Sequence, residues 1–490
     1  MPPGFTALDF SYILPEVILT LGALLLLIAD LLTPRERQGW LAGLAVGVLG
    51  ATALALLPLG SVNATVARGL LAIDGFAYFF KFVFLVTAAI TILMSVRYLQ
   101  VEGARAGEYY FLILCATLGM MFMASGIDLI TIFIGLETMA VSFYILTGYL
   151  KPNRRSNEAA VKYFLLGAFS LGILLYGMSI LYGLTGTTQL RPIMAALAGQ
   201  EVSPALLLAV MLVIAGIGFK IAAVPFHMWA PDVYEGAPTP ITAFLSVGSK
   251  AASFAMLIRI FMEGLGGLQQ TWGPVFWVLA VLTMTIGNLA ALTQSNLKRM
   301  LAYSSIAHAG YMLIGVIAGT PRGLTAMLVY LMVYMFMQMG AFTVVVAMRR
   351  RDTIGDELKD LTGLYMRSPL AAIAMLLFML SLGGIPPTAG FMGKLWLFSA
   401  AIESGYVWLA VIGVLNSAVS LYYYVRVVVV MWIKSDTAPV PVTLGPAMTT
   451  VLAVAIVGTL VLGTYPAPLF EFADASARTL GLSQVALALP

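Results

Sequence analysis

Five ionisable side chains interrupt otherwise apolar segments of the sequence: Glu137, Lys162, Lys220, Lys250 and Lys394. A charged group at the centre of a membrane helix costs about 2.5–3.5 kcal/mol, so such residues usually serve a function. Glu137 and Lys250 lie near the midpoints of their segments, too far from either end for the side chain to extend to the membrane surface. A static ion pair or a packing bond would explain any one of these residues, but it explains all five together less well.

The lysines of this set outnumber its single glutamate, so they cannot all be paired with it. Burial disfavours the charged form of a lysine, and a neighbouring carboxylate favours it. A lysine between these influences can take up and release a proton as its partner approaches or leaves, whereas arginine is effectively always charged. The pattern therefore predicts a proton relay. Two other charges are explained without one: Lys81 is expected to extend to the outer interface, and Arg259 is assigned to a connecting loop.

Lys162 and three residues outside this set leave alternatives open. Glu158 and Lys162 stand four residues apart and share a helix face, so they form either a local ion pair or a point of proton uptake. His227 could connect Lys220 to the cytoplasmic side, and His308, in the middle of an apolar segment, could link the two halves of the chain. Each histidine could equally be a hydrogen-bonded packing residue.

The composition of the chain requires a membrane around these residues. Of its 490 residues, 61% are hydrophobic and 10% are charged, against roughly 45–50% and roughly 25% in soluble domains. Runs of roughly 20 apolar residues predict an all-α polytopic membrane protein of about fourteen transmembrane helices. The first run, about Ile13–Leu32, lacks a preceding basic region and is predicted to be a retained helix and not a cleaved signal.

The loop charges predict the orientation. Lys and Arg concentrate in the connections after odd-numbered helices, for example Arg97, Lys151, Arg351 and Lys434. Because cytoplasmic loops carry the excess of positive charge, both termini are expected on the outer side, which is the periplasm in a bacterium.

Several functional classes are excluded by composition. The net charge of +4 is small and dispersed, so nucleic acid is not an expected partner. Cys115 is the one cysteine, and with two histidines in the chain there are too few ligands for a haem, cluster or metal framework. We therefore expect no cofactor, no metal and no electron transfer in this chain.

Two of the predicted helices, at 204–230 and 368–402, contain proline and glycine, and each carries a lysine beside the interruption, Lys220 or Lys394. Prolines in spanning helices free carbonyl groups that need other partners. Paired interruptions of this kind indicate inverted repeats, here helices 4–8 and 9–13, although a hinge or kink would explain either one alone. The predicted units are 1–107 (three N-terminal helices), 108–265 (first repeat), 266–435 (second repeat) and 436–490 (last helix and tail).

Three stretches carry a resemblance to a known family: PFHMWAPDVYEGAPTPITAFLSVGSKAA, NLKRMLAYSSIAHAGYMLIG and GGIPPTAGFMGKLWLF. They resemble subunit N, an antiporter-like membrane subunit of the bacterial proton-pumping NADH:quinone oxidoreductase, respiratory complex I. The similarity is collinear over essentially the whole chain, and the Mrp-type sodium/proton antiporters are more distantly similar. The resemblance implies fourteen helices, two inverted five-helix half-channels with helices seven and twelve broken, and a hydrophilic axis through the membrane.

The resemblance also implies roles for the matching residues. Glu137 looks like the helix-five glutamate of the family and Lys220 like the helix-seven lysine that it modulates. Lys250 looks like the connecting lysine of helix eight, and Lys394 like the helix-twelve lysine of the second half-channel. Lys394 favours subunit N over subunit M, which usually has glutamate there, and the short C-terminal region argues against subunit L, which has a long lateral helix.

The implied function is proton translocation in the inner membrane of a bacterium, coupled to quinone reduction elsewhere. The implied partners are the lipid bilayer, the antiporter-like subunits M and L, and the small subunits K, J, A and H. NADH, FMN, the iron–sulfur clusters and the quinone would belong to other subunits. The main alternative is a subunit of an Mrp-type monovalent cation/proton antiporter; an assembly scaffold and a small-molecule permease are the other two.

Overall fold

A computed structural model of the chain describes residues 7–350, 355–433 and 441–480. Apart from one short β-hairpin, the regular structure of these residues is helical, and twelve helices are long and apolar enough to cross a membrane. The prediction of a helical membrane protein is therefore confirmed. Arg351, Lys434 and the last ten residues of the predicted C-terminal unit lie outside the described residues.

The helices are numbered in chain order. They are α1 (Ala7–Tyr12), α2 (Leu14–Leu32), α3 (Leu41–Leu56), α4 (Gly75–Glu102), α5 (Gly107–Ser125), α6 (Leu129–Thr147), α7 (Arg154–Thr185), α8 (Leu190–Leu197), α9 (Pro204–Lys220), α10 (Trp229–Gly236), α11 (Thr239–Phe244), α12 (Lys250–Ile258), α13 (Gln269–Leu292), α14 (Leu297–Ile317), α15 (Pro321–Met348), α16 (Leu364–Arg367), α17 (Pro369–Gly383), α18 (Ala389–Glu403), α19 (Val407–Trp432), α20 (Pro446–Thr464) and α21 (Ala467–Arg478).

The hairpin joins two loops at one end of the helical bundle. Strand β1 (Ala64–Val66) pairs antiparallel with β2 (Leu71–Ile73), with Ala64 opposite Ile73. Leu71 also forms a bridge to Gly126, just after α5. The loop after α3 is thereby fixed to the connection between α5 and α6.

The segment from Thr239 to Gly264, α14 and α15 form the interior of the bundle. Within the most apolar 18 residues of each of these three segments, 100%, 94% and 94% of the residues are buried. The corresponding fraction is 33–44% for α2, α3, α7, α13, α19 and α20. Polar side chains in a bilayer need partners within the protein. The interior segments can supply them, and Lys250 and His308 lie on these segments.

Side-chain caps fix the starts of α6, which carries Glu137, and of α14, which carries His308. The Asp128 carboxylate accepts hydrogen bonds from the Ile130 and Thr131 amides at the start of α6, at 2.9 and 3.1 Å. The Asn296 side chain accepts one from the Arg299 amide at the start of α14. Such caps satisfy amides that have no partner within the helix.

Both interruptions predicted from proline and glycine are present. Helix α9 ends at Lys220 and α10 begins at Trp229, and helix α17 ends at Gly383 and α18 begins at Ala389. We call residues 221–228 the first break and residues 384–388 the second break. A different irregularity precedes Lys250, where residues Leu245–Ser249 form a π-helical turn. Such turns are rare in helices and are frequent at functional sites.

Candidate functional site

We call the predicted set of Glu137, Lys162, Lys220, Lys250 and Lys394 the charged row. Its first part lies at the end of α9. Lys220 is buried, and its Nζ lies 5.8 Å from the ring centres of both Tyr144 and Phe219. Among the described residues, this Nζ has no hydrogen-bond partner. Glu137 on α6 is partly buried and close enough for the two charges to interact, but the pair is not within the 4.0 Å of an ion pair. The two groups therefore influence each other without being bound together.

Lys250, at the start of α12, is held by neutral groups. Its Nζ donates to the backbone carbonyl of Ser305 and to Ser305 Oγ, the latter at 2.7 Å. Ser305 Oγ also accepts a hydrogen bond from the Tyr334 hydroxyl at 2.9 Å and lies 3.5 Å from the Tyr234 hydroxyl. The amine is thus joined to a group of hydroxyls in the bundle interior.

Lys394, on α18, is bound to the second break. Its Nζ donates to the carbonyl oxygens of Leu382 at 3.0 Å and Gly383 at 3.1 Å, and to Ser417 Oγ at 2.8 Å. The ring centre of Tyr311 lies 5.0 Å from the same nitrogen. The lysine therefore supplies the partners that the carbonyls at the end of α17 lack within their own helix.

His308, on α14, lies between these two lysines. Its Nδ1 is 2.5 Å from the Tyr330 hydroxyl and its Nε2 is 3.1 Å from the Tyr424 hydroxyl. The charges of Lys250 and Lys394 both act on the ring. Polar groups capable of giving and accepting protons thus occupy the interior between Lys250 and Lys394.

Comparison with known proteins identifies the family. Residues 125–420 match the family model described as NADH:quinone oxidoreductase/Mrp antiporter, TM. NADH-quinone oxidoreductase subunit N of Trichlorobacter lovleyi is 45% identical, and the alignment covers 97% of this chain and 98% of that relative. The chain belongs to the NADH-quinone oxidoreductase subunit N family. The resemblance inferred from the sequence motifs is confirmed.

Solved structures share the fold. A chain of respiratory complex I from Thermus thermophilus superposes with a TM-score of 0.80 at 33% identity, covering 94% of this chain and 100% of that chain. A chain of the Mrp complex from Dietzia sp. DQ12-45-1b gives a TM-score of 0.84 at 25% identity, covering 98% and 100%. The fold alone does not separate the two complexes, but sequence identity places the chain with subunit N.

The prediction that Lys162 is a buried member of the charged row is wrong for this chain. Its side chain is 43% exposed and forms ion pairs with Glu158 at 2.9 Å and with Asp232 at 2.8 Å. The ion pair that the four-residue spacing allowed is therefore present. Asp232 also pairs with Arg299 at 2.7 Å. Burial would raise the pKa of the Asp232 carboxyl, but the hydrogen bonds from Lys162 and Arg299 outweigh this effect and lower it.

His227 lies partly buried within the first break. Among the described residues, no hydrogen bond connects its ring to Lys220, and its Nδ1 has no partner. The structure therefore does not bring His227 and Lys220 together, and a relay role for this histidine stays a prediction.

Two buried charges were assigned wrongly from the sequence. Arg259 is fully buried and pairs with Asp74 at 2.8 Å and with Glu263, so it is not a loop residue. Lys81 does not extend to the interface: its side chain is 2% exposed and pairs with Glu16 at 2.6 Å. In each case a carboxylate on another helix or one turn away accounts for the burial. The four-residue spacing of Arg259 and Glu263 was a usable signal.

The hydroxyls around Lys250 and His308 were also missed. Ser304 and Ser305 precede His308 by four and three residues, so all three point to neighbouring positions on α14. Ser304 Oγ lies 2.5 Å from the Tyr424 hydroxyl. This polar stripe on an apolar helix was a signal in the sequence. Among the described residues, no cluster of three His, Cys, Asp or Glu side chains could hold a metal ion.

Proposed function

We propose that the chain carries protons across the membrane as subunit N of a proton-pumping NADH:quinone oxidoreductase, using Glu137, Lys220, Lys250 and Lys394. The observation that carries the proposal is the state of Lys220. Its amine is buried, has no hydrogen-bond partner among the described residues and is influenced by the charge of Glu137. A buried amine in this position changes its proton occupancy when the neighbouring carboxylate moves.

The geometry supports a sequence of transfers toward the second break. When Glu137 approaches, the ammonium form of Lys220 is favoured, and when Glu137 withdraws, the proton leaves Nζ. The Ser305 hydroxyl, which is hydrogen-bonded to Tyr334, accepts a hydrogen bond from Lys250. His308 lies between Lys250 and Lys394. His308 is therefore included as a relay. The scheme places proton uptake at Glu158 and Lys162 and uses His227 to connect Lys220 to the cytoplasmic side. Quinone reduction in other subunits would drive the movement of charge.

The architecture proposed for this function has fourteen transmembrane units. Counting each broken pair, α9 with α10 and α17 with α18, as one unit adds two to the twelve long helices. The two breaks, each beside a lysine, support inverted half-channels at 108–265 and 266–435. The segments 1–107 and 436–490 lie outside them in this scheme, and the loop charges support termini on the periplasmic side.

The proposed setting is the inner membrane of a bacterium, within an assembly that contains subunits M and L and the small subunits K, J, A and H. The names of the relatives and of the Thermus thermophilus neighbour support it. The NADH, FMN, iron–sulfur and quinone sites are proposed to lie in those other parts of the complex.

The test is proton pumping by the assembled complex in liposomes, driven by NADH and normalised to the amount of complex. We expect Lys220→Ala and Glu137→Ala to reduce pumping by roughly 100-fold, the lower end of what a positioned proton-transfer group contributes. Lys151→Ala, at an exposed lysine in a loop, is the control. Full pumping by assembled Lys220→Ala complexes would refute the proposal.

An Mrp-type cation/proton antiporter is the second candidate, because the fold matches the Dietzia Mrp chain with a TM-score of 0.84. The purified chain in liposomes distinguishes the two. Sodium-dependent proton exchange without the other subunits would favour the antiporter, whereas pumping only in an NADH-oxidising complex favours subunit N.

A further inference from the structure

The two breaks leave their neighbouring lysines in different states, although each break frees carbonyl groups at the end of a helix. At the second break, Lys394 Nζ donates hydrogen bonds to the carbonyl oxygens of Leu382 and Gly383. At the first break, Lys220 Nζ donates no hydrogen bond to any of the described residues. This difference indicates that other hydrogen-bond donors occupy the carbonyls at the end of α9.

Trp229, the first residue of α10, is that partner. Its indole Nε1 donates across the first break to the Phe219 carbonyl at 2.9 Å, and the Ala222 amide donates to the same oxygen at 3.0 Å. A carbonyl oxygen has two lone pairs, so this acceptor is fully used. The two preceding carbonyls, of Ile217 and Gly218, accept from the backbone amides of Ile221 and Ala223.

The indole ring also belongs to an aromatic cluster that extends to Lys220. It stacks on Tyr163 with 4.7 Å between ring centres and 13° between planes, and Tyr163 packs edge-on against Tyr144. The Tyr144 ring in turn lies 5.8 Å from Lys220 Nζ. Trp229 is 3% exposed, so the arrangement is part of the protein interior.

We propose that Trp229 is a positioning residue for proton transfer at Lys220, which keeps the amine unbound by occupying the carbonyl at the end of α9. The inference rests on the proposed function. Lysine side chains near the end of a helix can bind its last carbonyls, and at the second break Lys394 on α18 binds the last carbonyls of α17. Without the indole donor, Lys220 gains an acceptor and the ammonium form is favoured. The other titratable groups at this site are Glu137 and Tyr144 on α6, Tyr163 on α7, and His227.

The test is the pH dependence of NADH-driven pumping per assembled complex. Trp229→Phe keeps a ring but removes the N–H donor. We expect the pH profile to move to higher pH by about one unit, the effect of one hydrogen bond to a charged group, with assembly retained. Should Trp229→Phe fail to assemble, 3-benzothienylalanine at position 229 removes only the N–H donor and keeps the fused-ring shape.

Trp272 provides a matched control. It is 1% exposed, and its Nε1 donates to the Leu265 carbonyl at 2.9 Å, the same kind of indole-to-carbonyl bond directly after the helical segment Arg259–Gly264. Its ring packs against Phe261 and Phe276. Trp272→Phe should leave the pH profile unchanged. An unchanged profile in the Trp229 variants, or an equal shift in Trp272→Phe, would overturn the inference. Loss of pumping in Lys220→Ala together with normal Trp229 variants would refute this inference alone, whereas full pumping in Lys220→Ala would refute the proposed function itself.

Discussion

At the scale of single residues, buried lysines in this chain fall into two kinds. Lys81 is paired with the Glu16 carboxylate at 2.6 Å, and both side chains are nearly inaccessible. Lys220, Lys250, Lys298 and Lys394 are buried without a carboxylate at ion-pair distance among the described residues. A fixed pair has no reason to change its protonation, whereas an unpaired amine can exchange a proton. Burial alone therefore does not mark a lysine as part of the relay.

The Lys81–Glu16 pair is predicted to be structural. Removing one partner of a buried pair leaves an uncompensated charge and costs about 3–5 kcal/mol, whereas replacing both by apolar residues is often neutral. We expect Lys81→Met and Glu16→Met each to lower the thermal unfolding midpoint of the purified complex. The double variant should recover most of the loss and pump normally per complex. Additive losses in the double variant would contradict this assignment.

The difference between the two kinds of lysine was only partly predictable. Lys220, Lys250 and Lys394 are visible in the sequence because each is a charge within an apolar run. The burial of Lys81 depends on how α2 packs against α4, and no local pattern reports that contact. Lys162 is also a charge within an apolar run, yet it reaches the exposed carboxylate of Glu158 and the partly buried carboxylate of Asp232. A charge within an apolar run is thus a weak guide to burial in the folded protein.

At the scale of elements, the breaks were the most predictable feature, because proline and glycine act locally on the backbone. The hydrogen-bond partners of the backbone groups at each break were not predictable, since these partners are distant in the sequence. Thr283 on α13 accepts a hydrogen bond from the Val224 amide in the first break at 2.9 Å. Ser417 on α19 donates to the Gly383 carbonyl at 3.2 Å beside the second break. Only the packed bundle brings these groups together.

The two breaks also differ in backbone strain. Both pass through the left-handed region soon after the helix ends, at Ala222 with φ of 57° and at Gly384 with φ of 85°. This conformation costs a residue with a side chain about 1–2 kcal/mol, and glycine adopts it freely. A Cβ at position 384 would also lie only 3.0 Å from Lys394 Cδ. The second break therefore has less tolerance for a larger residue.

We predict different effects on stability for replacing Gly384 by alanine and Ala222 by glycine. Gly384→Ala should destabilise the chain by about 1–2 kcal/mol and lower pumping per complex, because Lys394 is pushed from its carbonyl partners. Ala222→Gly should be neutral or slightly stabilising, since relief of strain offsets the greater freedom of the unfolded chain. Thermal unfolding of the purified complex measures both. Equal behaviour of the two variants would show that the left-handed positions do not limit stability.

At the scale of the whole molecule, charged residues join helices that are distant in the sequence. Asp232 on α10 binds Lys162 on α7 and Arg299 on α14, and Glu235 accepts a second bond from Arg299 at 2.9 Å. In the proposed scheme, α7 and α10 belong to the first half-channel and α14 to the second. These ion pairs therefore fasten the two halves at one end of the charged row.

The pH dependence of this fastening follows from the lowered pKa of Asp232. A carboxyl whose folded-state pKa is depressed contributes stability above its ordinary value of 3.8, and this stability is lost as the pH falls through the lower folded value. Between about pH 5 and pH 8 Asp232 stays ionised, so its contribution is constant. The titration of pumping near neutral pH must arise from other groups.

Asp232→Asn should consequently lower the unfolding midpoint by the same amount at pH 6 and pH 8. Each partly exposed pair contributes about 1 kcal/mol or less, so the loss should be modest, and it should shrink at about 1 M salt, where the screening length is about 3 Å. Glu158→Gln is the matched variant. Glu158 is 60% exposed and, within the described part of the chain, forms an ion pair only with Lys162, so its replacement should cost less. A loss that disappears at pH 6 would mean that Asp232 is already protonated there, and the ion pairs could not then fasten the two halves across the range in which the complex works.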